Sequence, residues 1–311
     1  MSLAQPKRIL IIKLRHHGDV LLSTPVVDAL KTRFPNCEID MLVYAGTGQL
    51  IADNPQIAQI FTIDRNWKKL GVFKQLACEK NLLSKLKARD YDWAFNLSDQ
   101  WRAAVIAKLC ARCSVGLDCI ERDGFWWRFC HDFINHELDT SHHIVENQLN
   151  ILAPLIQPED VADAKVRLWV AQDARESMRQ KLREQGWNGE DYVLLHPGAR
   201  WHFKCWEDGK NAAIVQLLLN SGQHVELTAS PDTVEQYMLQ EIIGRLNIPE
   251  GRKVYVLSGC LSLRELAASI EGAKLFVGVD SAPMHIAAAL DKPQIALFGA
   301  SWVDKWRPYS E

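Results

Sequence analysis

A strand-to-helix turn near the C-terminus decides the fold and reads Phe276-Val277-Gly278-Val279-Asp280-Ser281-Ala282-Pro283-Met284-His285, followed by Ile286-Ala287-Ala288-Ala289-Leu290. The apolar run before Asp280 predicts a strand buried on both faces. Ser281 suits a helix N-cap and Pro283 suits a first helical turn, so a helix is expected directly after Asp280. This strand-turn-helix unit is typical of parallel α/β sheets.

The same alternation extends in both directions along the chain. In the N-terminal half, strands are predicted at residues 8–14, 38–43, 57–63, 93–97 and 114–117, with helices at 20–34, 70–88, 101–111 and 144–155. In the C-terminal half, strands are predicted at 192–195, 225–228, 254–257, 275–279 and 294–298, with helices at 171–185, 211–221, 233–246, 262–270 and 284–290. Alternating strands and helices predict right-handed crossovers and doubly wound parallel sheets.

Two domains are expected from the length of 311 residues, which exceeds what one hydrophobic core usually organises. The sequence Gln157-Pro158-Glu159-Asp160 interrupts the alternation and marks a linker, so the predicted domains are 1–160 and 161–311. Ligands of such sheets bind beyond the carboxyl ends of the strands. A ligand cleft between the two halves is therefore predicted.

Charge and apolar patterning restrict the class of protein. A net charge of −2 argues against a nucleic-acid-binding protein, which needs a basic excess. The N-terminus has no secretory signal pattern, and no uninterrupted apolar run is long enough for a membrane helix. These features predict a cytoplasmic protein.

The eight cysteines are expected to be free thiols, because a chain of this size needs no disulfide framework. One group allows a second interpretation: Cys110 and Cys113 have the spacing of a zinc knuckle, with Cys119, Cys130 and His131 further on. The second half of that pattern is irregular and Cys110 lies in an apolar helical run. Buried structural thiols are the favoured interpretation.

The first candidate site is Arg15-His16-His17-Gly18-Asp19, which follows the first predicted strand. Gly18 would allow a sharp turn, and Asp19 would lie at the ligand edge of the sheet. Asp19 is either a helix N-cap or a reactive carboxylate. The neighbouring histidines and Arg15 favour a reactive pocket, and capping does not prevent Asp19 from serving as a base.

The second candidate site is Leu195-His196-Pro197-Gly198-Ala199, with Lys204-Cys205-Trp206 following. A small turn after a strand leaves backbone amides free for phosphate oxygens, and Lys204 would neutralise the charge on a diphosphate leaving group. A surface lysine beside a buried tryptophan has the same pattern, so this signal alone leaves both interpretations open.

The helix that begins after Asp280 gives the strongest signal. Its N-terminus would hold a pyrophosphate with unpaired amides and the helix dipole. Asp280 would bond sugar or ribose hydroxyls, with His285 one turn into the helix. The alternative is a structural helix with a core histidine. A further small turn, Phe298-Gly299-Ala300-Ser301, is predicted on the same edge.

Several nucleotide-binding motifs are missing. Neither half has a Gly-x-Gly-x-x-Gly after its first strand, and no Walker lysine motif occurs. Asp90 and Asp92 have the spacing of a metal-binding Asp-x-Asp, but they precede a strand and would lie on the edge opposite the ligand. The sequence therefore predicts a sugar nucleotide activated without a divalent ion, by lysine and helix-end amides.

These segments resemble the bacterial lipopolysaccharide heptosyltransferases. The resemblance spans nearly the whole chain and is carried by Arg8–Pro25, Asn96–Trp101, Phe203–Trp206, Gly278–Leu290, Leu297–Gly299 and Trp306–Pro308. Asp99-Gln100-Trp101 and Lys204-Cys205-Trp206 are similar to the branch of the family that adds a third heptose. Members of the family continue past the Trp-Arg-Pro segment to a helix that packs on the first domain. The resemblance implies impaired domain closure if Glu311 is the natural end.

The resemblance implies a GT-B architecture of two Rossmann-like domains. It implies an inverting, metal-independent transfer of L-glycero-D-manno-heptose from ADP-heptose to the second heptose of the inner core. Domain 1–160 would bind the acceptor and carry the base, and domain 161–311 would bind the donor. Transfer to another inner-core position and a non-catalytic ADP-sugar-binding protein remain as alternatives, and a sugar nucleotide epimerase is a rival from another class.

Carried over by position, the resemblance makes Asp19 the general base and Lys204 the diphosphate contact. Donor contacts would be Gly198, Ala199, Asp232, Leu261, Asp280, Ser281, Ala282, Pro283 and His285. Acceptor contacts would be Arg15, His16, His17, Gly18, Gln100 and Trp101. No cofactor or metal is implied, and a monomer is favoured.

The implied acceptor is lipid A with its core sugars, presented at the inner face of the inner membrane, where the enzyme would be peripheral. A basic and aromatic face for this acceptor is predicted from Lys7, Arg8, Lys13, Arg15, Arg122, Trp126, Trp127 and Arg128. A solvated surface with a buried tryptophan is the alternative interpretation of these residues.

Overall fold

The computed structural model describes residues 5–118, 124–136, 138 and 141–310. The chain divides into two compact units, Met1–Arg167 and Leu168–Glu311. The predicted linker contains a 3₁₀ turn at Pro158–Asp160, which belongs to the first unit. Across the described ranges, no helix combines the length and apolar character that a membrane span requires.

The first unit is built on a parallel sheet with the strand order β3-β2-β1-β4-β5-β6. Its strands are β1 (Arg8–Lys13), β2 (Glu38–Tyr44), β3 (Gln59–Ile63), β4 (Tyr91–Asn96), β5 (Ala111–Asp118) and β6 (Phe133–His136). Its helices are α1 (His17–Leu21), α2 (Thr24–Arg33), α3 (Val72–Lys87), α4 (Trp101–Cys110), α5 (Phe125–Phe129) and α6 (Ile144–Asn150). Short 3₁₀ helices lie at Thr47–Ile51 and Arg65–Lys69.

The second unit has a parallel sheet of its own, with the order β11-β10-β7-β8-β9. Its strands are β7 (Tyr192–His196), β8 (His224–Ala229), β9 (Val254–Ser258), β10 (Leu275–Val279) and β11 (Gln294–Leu297). Its helices are α7 (Gln172–Glu184), α8 (Asp208–Asn220), α9 (Thr233–Ile243), α10 (Leu263–Gly272), α11 (Ala282–Ala289) and α12 (Val303–Trp306). A 3₁₀ helix at His202–Lys204 follows β7.

The central strands are apolar because both of their faces are covered. Ile9, Leu10, Ile11 and Ile12 of β1 are all fully buried, which explains a continuous apolar run rather than an alternating one. Each such side chain contributes about 1.5–3 kcal/mol through burial. The predicted α/β class with two Rossmann-like sheets is confirmed.

Strand order determines where each sheet can bind a ligand. In the first unit the order reverses between β1 and β4, and in the second unit between β7 and β10. The crevice outside the carboxyl ends of these strand pairs is the usual ligand site of open α/β sheets. The predicted site residues follow these four strands, except Asp232 and Leu261, which follow β8 and β9.

The predicted helix over residues 20–34 is wrong as a single element. Pro25 has no N–H and cannot donate to the carbonyl of Leu21, so the helical ladder is interrupted before it. The hydroxyl of Thr24 instead donates to the Leu21 carbonyl at 2.8 Å, and that of Ser23 donates to the Val20 carbonyl at 2.6 Å. Two helices, α1 and α2, result.

The cysteine group near α4 is buried. Cys110, Cys113 and Cys130 are at most 9% exposed, and burial raises the pKa of the Cys110 and Cys113 thiols to about 11. Cys119 of the knuckle pattern lies outside the described residues. Within the part of the chain that is described, no group of three or more His, Cys, Asp or Glu side chains could hold a metal ion.

Candidate functional site

Asp19 lies in the first turn of α1, directly after the loop that follows β1. His16 is the N-cap of this helix and Asp19 is its third residue, so Asp19 is not the N-cap itself but takes part in capping as the N3 residue of a capping box. The Asp19 carboxylate accepts from the backbone N–H of His16 at 3.3 Å, which joins the carboxylate to the N-cap of its own helix. Gly18 lies inside α1 and is not among the described glycines with positive φ, so the expected glycine turn is wrong.

The loop before Asp19 is held by the loop after β4. Arg15 forms an ion pair with Asp99 at 2.6 Å. Gln100, predicted as an acceptor contact, donates to the Leu14 carbonyl at 2.9 Å. Trp101 is 44% exposed and its ring meets the buried ring of Trp127 edge to face. His16 and His17 are half-buried on the same loop.

The predicted basic and aromatic face is only partly at the surface. Lys13 is 4% exposed and its ammonium donates to the Leu97 carbonyl, while Trp127 is 1% exposed. These two residues are therefore not part of an open face. Trp126 is exposed, and Phe125 and Phe129 beside it are exposed as well. Arg122 lies outside the described residues.

In the second unit, Lys204 and Asp280 form an ion pair. Lys204 comes from the 3₁₀ helix after β7 and Asp280 from the end of β10, and Lys204 Nζ lies 2.5 Å from Asp280 Oδ2. The Asp280 side chain is 5% exposed and that of Lys204 is 21% exposed. The ammonium is thus placed at the ligand edge of the second sheet, where it could also meet an anion.

Helix α11 begins at Ala282 with Ser281 as its N-cap, as predicted, and Pro283 lies in its first turn. The Ser281 hydroxyl donates to the Val279 carbonyl at 3.2 Å, and Ser281 makes no side-chain cap bond to the helix. Because the hydroxyl is used on the strand, it does not satisfy the amides of the first helical turn, which are the groups that bind anions at helix N-termini. His285 is buried inside α11, and Ala282 is half-buried at its start.

The turn Pro197-Gly198-Ala199 rests on a buried carboxylate. A Cβ at Gly198 would clash with the carboxyl group of Glu235, so any larger residue there would force the buried Glu235 side chain to shift. Glu235 accepts from the backbone N–H of Ser230 at 3.0 Å and lies 3.9 Å from His196 Nε2. Burial lowers the pKa of His196.

Glu235 was missed from the sequence although a signal was present. Glu235, Met238, Leu239 and Ile242 are the buried residues of α9, at the spacing of one helical face. A carboxylate within an apolar stripe is unusual and indicates a specific partner.

The two remaining predicted donor contacts lie on neighbouring loops of the same sheet. Asp232 is the exposed N-cap of α9, and its carboxylate accepts from the Val234 N–H at 2.9 Å. Leu261 is half-buried in the loop between β9 and α10. Their contacts to a donor stay predictions.

Comparison with known proteins decides the family. The model of glycosyltransferase family 9 (heptosyltransferase) matches residues 80–311. A lipopolysaccharide heptosyltransferase 3 from Escherichia coli is 37% identical over 298 residues, which are 96% of this chain and 85% of that protein. The chain belongs to glycosyltransferase family 9. This family assignment confirms the predicted heptosyltransferase resemblance and makes the protein a glycosyltransferase.

Solved structures agree with the fold of this glycosyltransferase. A family 9 glycosyltransferase from Veillonella parvula has a TM-score of 0.84 at 22% identity, over 99% of this chain and 86% of that one. The E. coli heptosyltransferase WaaC, solved with ADP, has a TM-score of 0.75 at 20% identity, over 97% of this chain and 91% of that one. At these identities the likeness shows the fold, which is of the predicted GT-B class.

Proposed function

We propose that this glycosyltransferase transfers L-glycero-D-manno-heptose from ADP-heptose to the second heptose of the lipopolysaccharide inner core, with inversion and without a metal ion. The observation that carries the proposal is the Lys204–Asp280 pair, which follows the two central strands of the second sheet and precedes helix α11. The names of two relatives support the substrates, since one is lipopolysaccharide heptosyltransferase 3 and another was solved with ADP.

The second unit provides the donor chemistry in this proposal. Lys204 and the first amides of α11 bind the diphosphate, and Asp280 accepts hydrogen bonds from hydroxyls of the donor. As the bond between the anomeric carbon and the diphosphate oxygen breaks, negative charge accumulates on ADP. A fixed ammonium and fixed amides stabilise that charge without needing to reorganise.

The first unit provides the base. Asp19 takes the proton of an acceptor heptose hydroxyl while that oxygen attacks the anomeric carbon from the face opposite ADP. One bond forms and one breaks at the same carbon, so its configuration inverts. A positioned base of this kind contributes about 10²- to 10⁴-fold to the rate.

The acceptor, a lipid-linked core saccharide, would be met at a membrane surface. Phe125, Trp126 and Phe129 are all more than 60% exposed, and exposed aromatic side chains are typical of proteins that contact the membrane interface. Replacement of all three by Ser should reduce sedimentation with liposomes of E. coli lipid; unchanged sedimentation would exclude this face.

Product analysis tests the proposed function against its alternatives. The enzyme is incubated with ADP-heptose and a set of truncated cores ending at the first, second or third heptose, and products are read by mass spectrometry. The proposal predicts one added heptose on the core that ends at the second heptose, together with release of ADP. Addition to another core favours transfer at another position. Binding of ADP without any product favours a non-catalytic protein, and interconversion of free nucleotide sugars favours an epimerase.

A further inference from the structure

Both main-chain hydrogen-bonding groups of Leu14 are held by side chains of the loop after β4. The N–H of Leu14 donates to Ser98 Oγ at 2.7 Å, and its carbonyl accepts from Gln100 Nε2 at 2.9 Å. Leu14 is fully buried, so neither bond exchanges freely with water. These two bonds fix the residue that follows β1 to the loop after the neighbouring strand β4.

The side-chain amide of Gln100 is itself held by a second hydrogen bond, to its oxygen. The hydroxyl of Tyr44, at the end of β2, donates to Gln100 Oε1 at 2.5 Å. Tyr44 is 9% exposed, and the guanidinium of Arg65 lies 4.1 Å from the centre of its ring. One N–H of the Gln100 amide and its oxygen therefore each have a partner inside the protein, and these two bonds fix the orientation of the amide.

A short stretch of chain connects the contacts of Leu14 to Asp19. Leu14 lies two residues before His16, and the backbone N–H of His16 donates to the Asp19 carboxylate. Any shift of Leu14 moves the group that orients this carboxylate. Arg15, between them, is held by Asp99 of the same β4 loop.

We propose that Gln100 and Tyr44 are positioning residues for Asp19, acting through the Leu14 carbonyl, and that Gln100 is not an acceptor contact. The proposal rests on the proposed function of Asp19 as base. A displacement of about 1 Å in a reacting group can lower a rate by up to about a hundredfold while binding is kept. The expected signature is therefore a loss of kcat without a matching change in KM.

Two variants and one control test this role in the transfer reaction. Gln100→Ala should lower kcat by about tenfold and change KM for donor and acceptor by less than about twofold. Tyr44→Phe removes only one hydroxyl, and it should lower kcat by less than Gln100→Ala does. Tyr91→Phe is the matched control, because the Tyr91 hydroxyl donates to Asp40 on the same sheet, away from Leu14, and it should leave kcat unchanged.

The same Gln100 substitution is then made in the Asp19→Asn background. A residue that acts through Asp19 loses its effect there, so Gln100→Ala should change the residual rate by less than about twofold. A raised acceptor KM, or a full tenfold loss that persists in the Asp19→Asn background, would overturn the proposal and make Gln100 an acceptor contact. Near-normal turnover of Asp19→Asn alone would instead refute the base, and the two failures are thereby told apart.

Discussion

The role of Lys204 or of Asp280 cannot be assigned from either residue alone. The ion pair between them restricts the roles that each residue can have. The buried Asp280 carboxylate is neutralised by one ammonium at 2.5 Å. In the proposed function, an incoming diphosphate would share this ammonium with the carboxylate, and the ion pair would hold the lysine in place before the donor binds. The carboxylate keeps a second oxygen for a hydroxyl donor.

Lys204→Ala is predicted to weaken ADP binding by at least about tenfold. A hydrogen bond between charged groups is worth about 1.5–3 kcal/mol, and the substitution also leaves Asp280 buried without its cation. Calorimetric titration with ADP measures the change. Lys210→Ala is the matched control, since Lys210 is half-exposed and pairs with Glu207. Equal ADP affinity in Lys204→Ala and the unmodified enzyme would exclude the leaving-group role.

Asp19→Asn is predicted to lower turnover by at least about a hundredfold while ADP affinity and the melting temperature stay unchanged. Asparagine keeps an oxygen that can accept from the His16 N–H but cannot take up the acceptor proton. Steady-state transfer rates from ADP-heptose provide the measurement. An Asn variant that transfers heptose at a near-normal rate would remove Asp19 from the mechanism.

At the residue scale, the sequence predicts which polar side chains lie at strand ends, but it does not predict which groups they contact. Asp280 and Lys204 were predicted at the ligand edge because both follow a central strand, whereas their contact depends on how the 3₁₀ helix at His202–Lys204 folds back. Gln100 was assigned to the acceptor by resemblance, and only the structure shows that its amide is used by Tyr44 and Leu14.

Two elements meet closely where helix α9 supports the turn after β7. Gly198→Ala is predicted to lower the melting temperature and to weaken ADP binding, because the new methyl group would clash with the Glu235 carboxyl group and displace it from the Ser230 N–H. Overpacking of this kind costs about 1–3 kcal/mol. Gly209→Ala in α8 is the control, as its nearest neighbour is Arg245 Nη1 at 3.6 Å. Thermal unfolding with and without ADP tests this; a Gly198→Ala protein equal to the control would contradict it.

A buried carboxyl in β8 makes the second unit sensitive to pH. Glu226 is fully buried, and desolvation raises its pKa to about 8, although hydrogen bonds from Ser269 and Tyr192 oppose the rise. The folded state therefore holds a proton that the unfolded chain releases near pH 4.5. Its contribution to stability is complete below that pH and is lost as the pH rises towards 8.

Glu226→Gln is predicted to remove this pH dependence. The free energy of unfolding of the variant, minus that of the unmodified protein, should increase from pH 5 to pH 8 by up to about 1.4 kcal/mol per pH unit. Urea unfolding at several pH values measures the difference. Glu190→Gln is the control, because the pKa of Glu190 is lowered to about 2 by Lys253 and its difference should stay constant. If the free energies of unfolding of Glu226→Gln and of the unmodified protein changed with pH in the same way, the prediction would be contradicted.

At the element scale, the sequence predicts long buried strands well and short or interrupted elements poorly. The strand at Leu275–Val279 was predicted with its bounds because its apolar run ends at a polar turn. Strand β6 was missed, since Phe133–His136 has four residues and is half-buried or exposed, which leaves no alternation to detect. The interrupted helix over residues 20–34 depended on hydroxyl contacts of Ser23 and Thr24.

At the scale of the whole molecule, strand order accounts for where the candidate residues lie within each of the two units. Each sheet reverses its order once, between β1 and β4 and between β7 and β10. Asp19 and Gln100 follow the first pair of strands, and Lys204 and Asp280 follow the second pair. Alternation along the sequence predicts the two sheets, and the family comparison confirms the class of enzyme. Strand order itself requires long-range pairing and was not predicted.

The configuration of the transferred heptose tests the central claim most directly. Nuclear magnetic resonance of the product formed from ADP-heptose and a core ending at the second heptose gives the anomeric configuration of the new linkage. A single displacement assisted by Asp19 predicts the configuration opposite to that of the donor, with one ADP released for each linkage. A product that retains the donor configuration, or no linkage at all, would contradict the account.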